Sequence, residues 1–304
     1  MKVVYGHTDS IYVQMPIDKA EETLDLLNNH VRSHFPNILG LKEHPVKLEF
    51  EKYFSTLGVG KTKNRNAGLI MWKDGKYLEE QEFVMTGFTA KRVAITSLAK
   101  RIQLELLKKW VNRVEEIKIT QWLNAEFNWV LDGVIEPSEL IQRSRYREER
   151  LTYMCDACNK KYTWEQVFNM RKRQTDSAAN YCDKCGQNLE LLTLGGKRPN
   201  IGAGIEGVLW WNQNRTPKID DSYLYMKVMD NASRHNYMNV LTGEHKRPAY
   251  ISAPTVQDLQ EFTPDYRHYA QSIIKKAEPI YNAMDWDITL IQHDNNQSGL
   301  GDWW

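Results

Sequence analysis

The residues able to do chemistry in this chain of 304 residues cluster at its start, middle and end. At the start, MKVVYGHTDSIYVQM reads as a strand, a turn and a second strand, with Asp9 at the tip. A carboxylate on a hairpin tip is held rigidly and faces outward, which suits a hard divalent cation such as Mg²⁺. An ordinary hairpin with a polar turn is the alternative reading. In the middle, Cys155-x-x-Cys158 and Cys182-x-x-Cys185 contain all 4 cysteines. Two such turns deliver soft thiolates to one tetrahedral ion, so the spacing predicts a zinc-ribbon-like site. A [4Fe–4S] cluster also takes four cysteinates, and free core thiols are the bland alternative. At the end, Gln297-x-x-Leu300-x-x-Trp303-Trp304 places two tryptophans in a polar terminus. A short 3₁₀ turn there would present Leu300, Trp303 and Trp304 on one face to an apolar pocket, with Gln297 hydrogen-bonding beside it.

Several elements must position these groups. PIDKAEETLDLLNNHVRSHF has helical spacing, with Asp18 placed as an N-cap and Glu21 three residues on, a capping-box arrangement. VKLEFEKYFSTLGVG and NAGLIMWKDGKYLEEQEFVMTGF alternate apolar with polar residues, and Asp74-Gly75 supplies a tight turn. Glu49 and Glu51 would share one strand face, a pleat repeat apart. From Ser97 the period changes: SLAKRIQLELLKKWVNRVEEI is an amphipathic helix, and TQWLNAEFNWVLDG continues it to a glycine stop. TPDYRHYAQSIIKKAEPIYNAM is a closing helix, bent or restarted at Pro279. Gly202-x-Gly204-x-x-Gly207 lacks the preceding strand and following amphipathic helix of a dinucleotide site, and reads as a loop. The class is α+β.

A hydrophobic fraction of 41% and a charged fraction of 26% are those of an ordinary globular protein. No apolar run is long enough to cross a bilayer and no signal peptide is legible, so the expected location is cytoplasmic, with no membrane partner. Disulfides are disfavoured there. A net charge of +1 rules out capture of nucleic acid by the field of the whole molecule. Any such role rests on local patches: Lys61, Lys63 and Arg65; Lys91, Arg92, Lys100 and Arg101; and Arg143, Arg145, Arg147 and Arg150. Each patch also reads as a solvated face.

Tyr5-Gly6-His7-Thr8-Asp9-Ser10 resembles the YGDTDS signature, motif C of the family-B DNA polymerase palm. The resemblance implies that Asp9 ligates the catalytic metals, with Thr8 beside it, and that His7 replaces the signature's first acidic residue. VKLEFEKYF is similar to the following strand, whose glutamate near the metals corresponds to Glu51; Glu49 is equally a solvated residue. Lys63-Asn64-Arg65-Asn66-Ala67-Gly68 resembles the KKRYAG element that touches the primer duplex, with Asn64 and Asn66 in place of its second lysine and tyrosine. Lys91 and Arg92 match a basic pair at the exit from palm to thumb, and DYRHYAQSIIKKAEPIYNAMDW resembles the last thumb helices. The tail fits the pattern of sliding-clamp-binding peptides.

The resemblance implies a partial palm, an antiparallel sheet with a packed helix, over 1–104. A mainly helical thumb follows over 105–290, with a zinc-ribbon-like insertion at about 151–190 and a flexible clamp-binding tail over 291–304. It further implies a two-metal Mg²⁺ site, primer-template DNA and dNTP substrates. Nothing before Tyr5 can supply motif A, and no fingers helix is legible. The expectation is therefore the small subunit of a split polymerase that starts naturally at Met1, active only with a large subunit bearing motif A, fingers and exonuclease. The competing expectation is a non-catalytic module that binds primer duplex and tethers another polymerase to the clamp.

Overall fold

A computed structural model describes residues 2–7, 10–62, 64–91, 95–146, 152–163, 166–167, 169–170, 181–187, 189–192, 202–229, 236–239 and 244–291. The chain forms two compact units, each assembled from separated stretches: residues 1–88, 103–121 and 277–290 in the first, and 89–102, 122–276 and 291–304 in the second. Among the described residues no helix is long and apolar enough to cross a membrane.

The first unit opens with a hairpin of β1 (Lys2–His7) and β2 (Ser10–Gln14), paired from Lys2↔Gln14 to His7↔Ser10 with a register shift between Val3 and Tyr5. Helix α1 (Ala20–His34) follows a 3₁₀ turn over Ile17–Lys19. The expected capping box does not form: Pro16 starts the 3₁₀ turn, Lys19 becomes the N-cap of α1, and no side chain caps either element. A three-stranded antiparallel sheet then runs β3 (Lys52–Val59), β4 (Asn66–Lys73), β5 (Lys76–Thr86), in that order. Its tight turn is the one read from sequence, with Asp74 at φ 52° and Gly75 at φ 82°, the two positive values a type I′ turn requires.

Residues 46–51 are not the start of β3, contrary to their alternation. The buried Asn28 of α1 takes the Leu48 backbone on both sides, donating to Leu48 O at 3.0 Å and accepting from Leu48 N at 2.8 Å. A side-chain amide thus replaces a neighbouring strand, and Phe50 stacks on Trp72 with ring centroids 4.3 Å apart.

The amphipathic run read as one helix is two, α2 (Ser97–Val111) and α3 (Glu116–Leu131). The break is a Schellman turn: Arg113 adopts φ 57°, its N–H bonds Trp110 O, and Val114 N–H bonds Lys109 O. The glycine stop of α3 has the same form, with Gly133 at φ 70° bonding Val130 O and Val134 bonding Trp129 O. Gly58 lets β3 approach the ring of Trp110, whose atoms would lie 2.5 Å from an added Cβ.

In the second unit, β6 (Gln142–Arg145), β10 (Ser222–Lys227) and β13 (Tyr250–Ala253) form a sheet in the order β13-β10-β6. Helix α4 (Ala203–Asn214) covers it, and here the expectation of a loop at Gly202 is corrected. Gly202 is the N-cap, while Gly204 and Gly207, one turn apart, allow close approach to Tyr223 and Ser252. Ser252 Oγ donates to Gly204 O at 2.8 Å. Short α5 (Val256–Leu259) carries a true capping box between Thr255 and Asp258. The closing helix α6 (Tyr266–Met284) runs on through Pro279. A separate small sheet, β8 (Lys161–Tyr162), β7 (Thr152–Cys155), β9 (Leu189–Leu192), lies around the cysteines, and β11 (Tyr237–Met238) pairs with β12 (His245–Lys246).

Candidate functional sites

The two residues joining β1 to β2, Thr8 and Asp9, lie outside the described residues, as do Lys63, Arg92, Gln297, Leu300, Trp303 and Trp304. Lys91 ends a 3₁₀ turn over Thr89–Lys91. What the first unit does bring together is the hairpin and the turn leading into β4. Tyr5 Oη donates to Asn64 Oδ1 at 3.1 Å across 59 residues of sequence. Behind that bond the rings of Tyr5, Tyr12 and Phe54 form a chain, with centroids 5.3 and 6.0 Å apart. Tyr53 Oη also donates to Met15 O at 2.8 Å, fastening β3 to the end of β2.

The turn itself is tightly built. Gly60 N–H bonds Arg65 O at 2.8 Å, and Asn64 sits at φ 62°, a region asparagine tolerates better than most residues. Gly87 lies so close beneath that an added Cβ would be 1.8 Å from Asn64 O. Asn64 is exposed and Arg65 half-exposed, whereas Asn66 is buried as the first residue of β4, opposite Thr86. Lys61 is exposed and paired with Asp285, which occupies the left-handed position after α6.

Glu51 immediately precedes β3 and is two-thirds exposed, bonded to Lys52 at 2.8 Å. Its carboxylate is the main reason that the Lys52 ammonium is held above its ordinary pKa. Glu49 pairs with Lys47 at 3.4 Å in an irregular segment, so the two glutamates do not share a strand face. Both line an open cleft of ≈ 1730 Å³ with Ser10, Ile11, Tyr12 and Trp110. Among the described residues the carboxylates of this unit form no group able to hold a metal unaided; the cysteines do.

All four Sγ atoms of Cys155, Cys158, Cys182 and Cys185 lie within 4.8 Å of one another. Two copies of one backbone turn place them. Cys155 N–H bonds Lys160 O and Asn159 N–H bonds Cys155 O; Cys182 N–H bonds Gln187 O and Gly186 N–H bonds Cys182 O. Asn159 at φ 54° and Gly186 at φ 75° close the two turns in the left-handed region. Cys155 and Cys182 are buried and Cys185 is exposed. Burial raises the Cys182 pKa, but the Tyr162 hydroxyl and the N–H groups of Lys184 and Cys185 outweigh it and draw the thiol down to about 6.

Sequence reasoning stopped at the four sulfurs and missed their neighbours. Tyr162 Oη donates to an Asp183 carboxylate oxygen and lies 3.0 Å from Cys182 Sγ. Lys160 Nζ bonds Asp183 at 2.8 Å and sits 4.8 Å from the centre of the Tyr162 ring. The signal was available, since all three residues lie within four positions of one of these cysteines. The basic patch at 143–150 is described only in part: Arg143 and Arg145 are exposed on β6, an edge strand of its sheet.

A model of DNA polymerase family B matches residues 1–284. Similar curated proteins include the DNA polymerase delta catalytic subunits of Oryza sativa subsp. japonica and Candida albicans. Each is 25% identical over 274 residues, covering 86% of this chain and 23% and 24% of theirs. That of Schizosaccharomyces pombe is 24% identical over 273 residues, again covering 86% of this chain and 23% of the relative. The chain therefore spans about a quarter of the length of the curated relatives it matches. Among solved structures, the family B DNA polymerase of the hyperthermophilic archaeon Pyrobaculum calidifontis aligns with a TM-score of 0.49 and 13% identity, covering 92% of this chain and 26% of that one.

Proposed function

The chain belongs to DNA polymerase family B, and from that premise we propose that it supplies part of the palm, over 1–104, and the thumb, over 105–290, of a DNA-directed DNA polymerase. Asp9 ligates Mg²⁺ there, with Thr8 next to it in the sequence and Glu51 as a supporting carboxylate. Two-metal phosphoryl transfer needs clustered carboxylates to hold both ions while a 3′-hydroxyl attacks the α-phosphate of a dNTP. In this reading the second acidic ligand is motif A of a large subunit that also carries the fingers and exonuclease.

One observation carries this reading: the hydrogen bond between Tyr5 and Asn64. It joins the two stretches that resemble separate polymerase elements, so the metal-binding tip and the duplex-binding turn have a common support. Lys61, Lys63, Asn64 and Arg65 then meet the phosphates of the primer duplex, and Lys91 and Arg92 are the basic pair assigned to the same role. The pairing of Lys61 with Asp285 is no obstacle, because an exposed ion pair is worth less than about 1 kcal/mol and a phosphate can replace the carboxylate. In the same reading the cysteine centre takes Zn²⁺ and staples an insertion over about 151–190, and Gln297, Leu300, Trp303 and Trp304 bind a sliding clamp.

A second reading, a non-catalytic module that binds primer duplex, is favoured by the burial of Asn66 in β4, where it cannot reach a minor groove, and by His7 in the signature. Co-expression with a large subunit bearing motif A and the fingers separates the two. If the complex extends a primer and Asp9→Ala abolishes extension while assembly persists, the catalytic reading stands. Equal extension by Asp9→Ala leaves the module.

A further inference from the structure

The cysteine centre has more to it than its four ligands. Zn–S bonds of about 2.3 Å in a tetrahedron set sulfurs about 3.8 Å apart. Here Cys155 Sγ and Cys185 Sγ are 3.3 Å apart, Cys158 Sγ and Cys182 Sγ 3.5 Å, and no pair exceeds 4.8 Å. These separations exceed a disulfide bond of about 2.05 Å. A [4Fe–4S] cubane inserts its own irons and sulfides among the four thiolates and needs a much wider shell. One small tetrahedral ion fits with little movement.

Four thiolates around a divalent cation leave an excess of negative charge, which N–H and O–H donors must offset. At Cys182 the backbone N–H groups of Lys184 and Cys185 act in that direction, helping to hold the thiol low. Tyr162 is 3% exposed and its hydroxyl stands 3.0 Å from Cys182 Sγ. The hydroxyl has one hydrogen and faces two acceptors: it donates to the Asp183 carboxylate, and Cys182 Sγ lies on its other side. Lys160 bonds the same carboxylate oxygen, so once an ion makes Cys182 a thiolate with no hydrogen of its own, the tyrosine can turn its hydrogen to sulfur while Lys160 keeps Asp183 partnered.

We propose that Tyr162 is a positioning residue of a single-ion tetrathiolate centre of the zinc class, turning its hydroxyl hydrogen from Asp183 to the Cys182 thiolate when the ion binds, with Lys160 left to partner Asp183. The proposal rests on reading the cysteines as a metal centre, and it makes that centre depend on a residue outside the two C-x-x-C turns.

The test uses the full chain loaded with Zn²⁺ or, for spectroscopy, Co²⁺. Wild type should bind one ion per chain, with the thiolate-to-cobalt absorption and ligand-field bands of a tetrahedral sulfur site. Tyr162→Phe keeps the ring and should retain that stoichiometry, bind Co²⁺ roughly tenfold more weakly and shift the thiolate-to-cobalt band. Unchanged affinity and an unchanged band would overturn the role of Tyr162. Stoichiometric iron with acid-labile sulfide would overturn the single-ion centre. Should the phenylalanine variant not fold, Asp183→Asn at an exposed position frees the tyrosine hydrogen for sulfur and should preserve or tighten Co²⁺ binding; weaker binding would count against the proposal. None of these readouts involves primer extension, so the polymerase reading stands or falls separately.

Discussion

Gly87→Ala tests whether the turn at 60–65 is held from below as described. Two costs are expected. Gly87 has φ 73°, and an L-residue in the left-handed region costs about 1–2 kcal/mol. The new Cβ would also lie 1.8 Å from Asn64 O, 2.8 Å from Asn64 C and 3.3 Å from Arg65 Cα, all backbone atoms that no rotamer change can move. Relieving that overlap requires the turn to shift, at a further cost of about 1–3 kcal/mol. Gly75→Ala is the matched control, because Gly75 has φ 82° with nothing within 4 Å of the added carbon. It carries the first cost without the second. Urea denaturation of the full chain should therefore show a loss of about 1–2 kcal/mol for Gly75→Ala and about 2–5 kcal/mol for Gly87→Ala. Fluorescence anisotropy on a labelled primer-template should show weakened binding for Gly87→Ala alone, since only that substitution displaces Asn64 and Arg65. Equal destabilisation, or equal DNA affinity, would refute the packing of Gly87 against the turn or the assignment of the turn to DNA.

Other outcomes follow from the same geometry. Tyr5→Phe and Asn64→Gly each remove the bond between hairpin and turn, so a double-mutant cycle should give a coupling of about 0.5–1.5 kcal/mol in unfolding free energy, and additive losses would mean that the bond is not made. Gly207→Ala, whose Cβ would meet Ser252 N at 2.4 Å, should destabilise the second unit by about 1–3 kcal/mol in urea denaturation, and a neutral result would contradict the seating of α4 on β13. Acidification should also weaken this unit. Burial opposes ionisation of Asp265, but the His268 N–H and Lys227 outweigh it and hold the carboxyl below its usual range; burial and then Lys227 hold the His268 imidazole below its usual range. Both shifts are downward, so each contribution is complete above the unfolded pKa, about 3.9 for aspartate and 6.5 for histidine, and is lost as the pH falls through the folded value. Thermal denaturation should show a lower Tm at pH 5 than at pH 7, with His268→Gln flattening that part of the fall; a Tm that rises on acidification would contradict the burial of His268.

How far the sequence could be read depended on whether the decisive partner was local. The hairpin ending at Asp74-Gly75, the glycine stop at Gly133 and the clustering of the cysteines are set within a few residues, and each was legible. Leu48 was not: its alternating neighbours promise a strand, yet the partner that takes its backbone is Asn28, 20 residues away on a helix. Arg113 misled for another reason, since no glycine marks its positive φ and the apolar period runs across the break between α2 and α3. In α4, apolar residues on every side erase the period by which an amphipathic helix is recognised, and the glycines that look like loop residues serve close packing.

The chemistry assigned to the two units differs in kind, and this makes the assignments separable. A site built on Asp9 and completed from outside would use hard oxygen ligands that exchange Mg²⁺ readily. A centre built on the four cysteines would draw all its ligands from two turns that share one backbone geometry, and soft thiolates would select a different ion. Removing Mg²⁺ and restoring it should then switch primer extension off and on with no change in bound zinc. Stripping the thiolate-bound ion should instead loosen β7, β8 and β9, whose buried residues include Cys155 itself, and excess Mg²⁺ should not restore them. Hydrogen exchange on Tyr153 and Tyr162 reads the second effect directly, and exchange that stays slow after chelation would show that the small sheet stands without a metal.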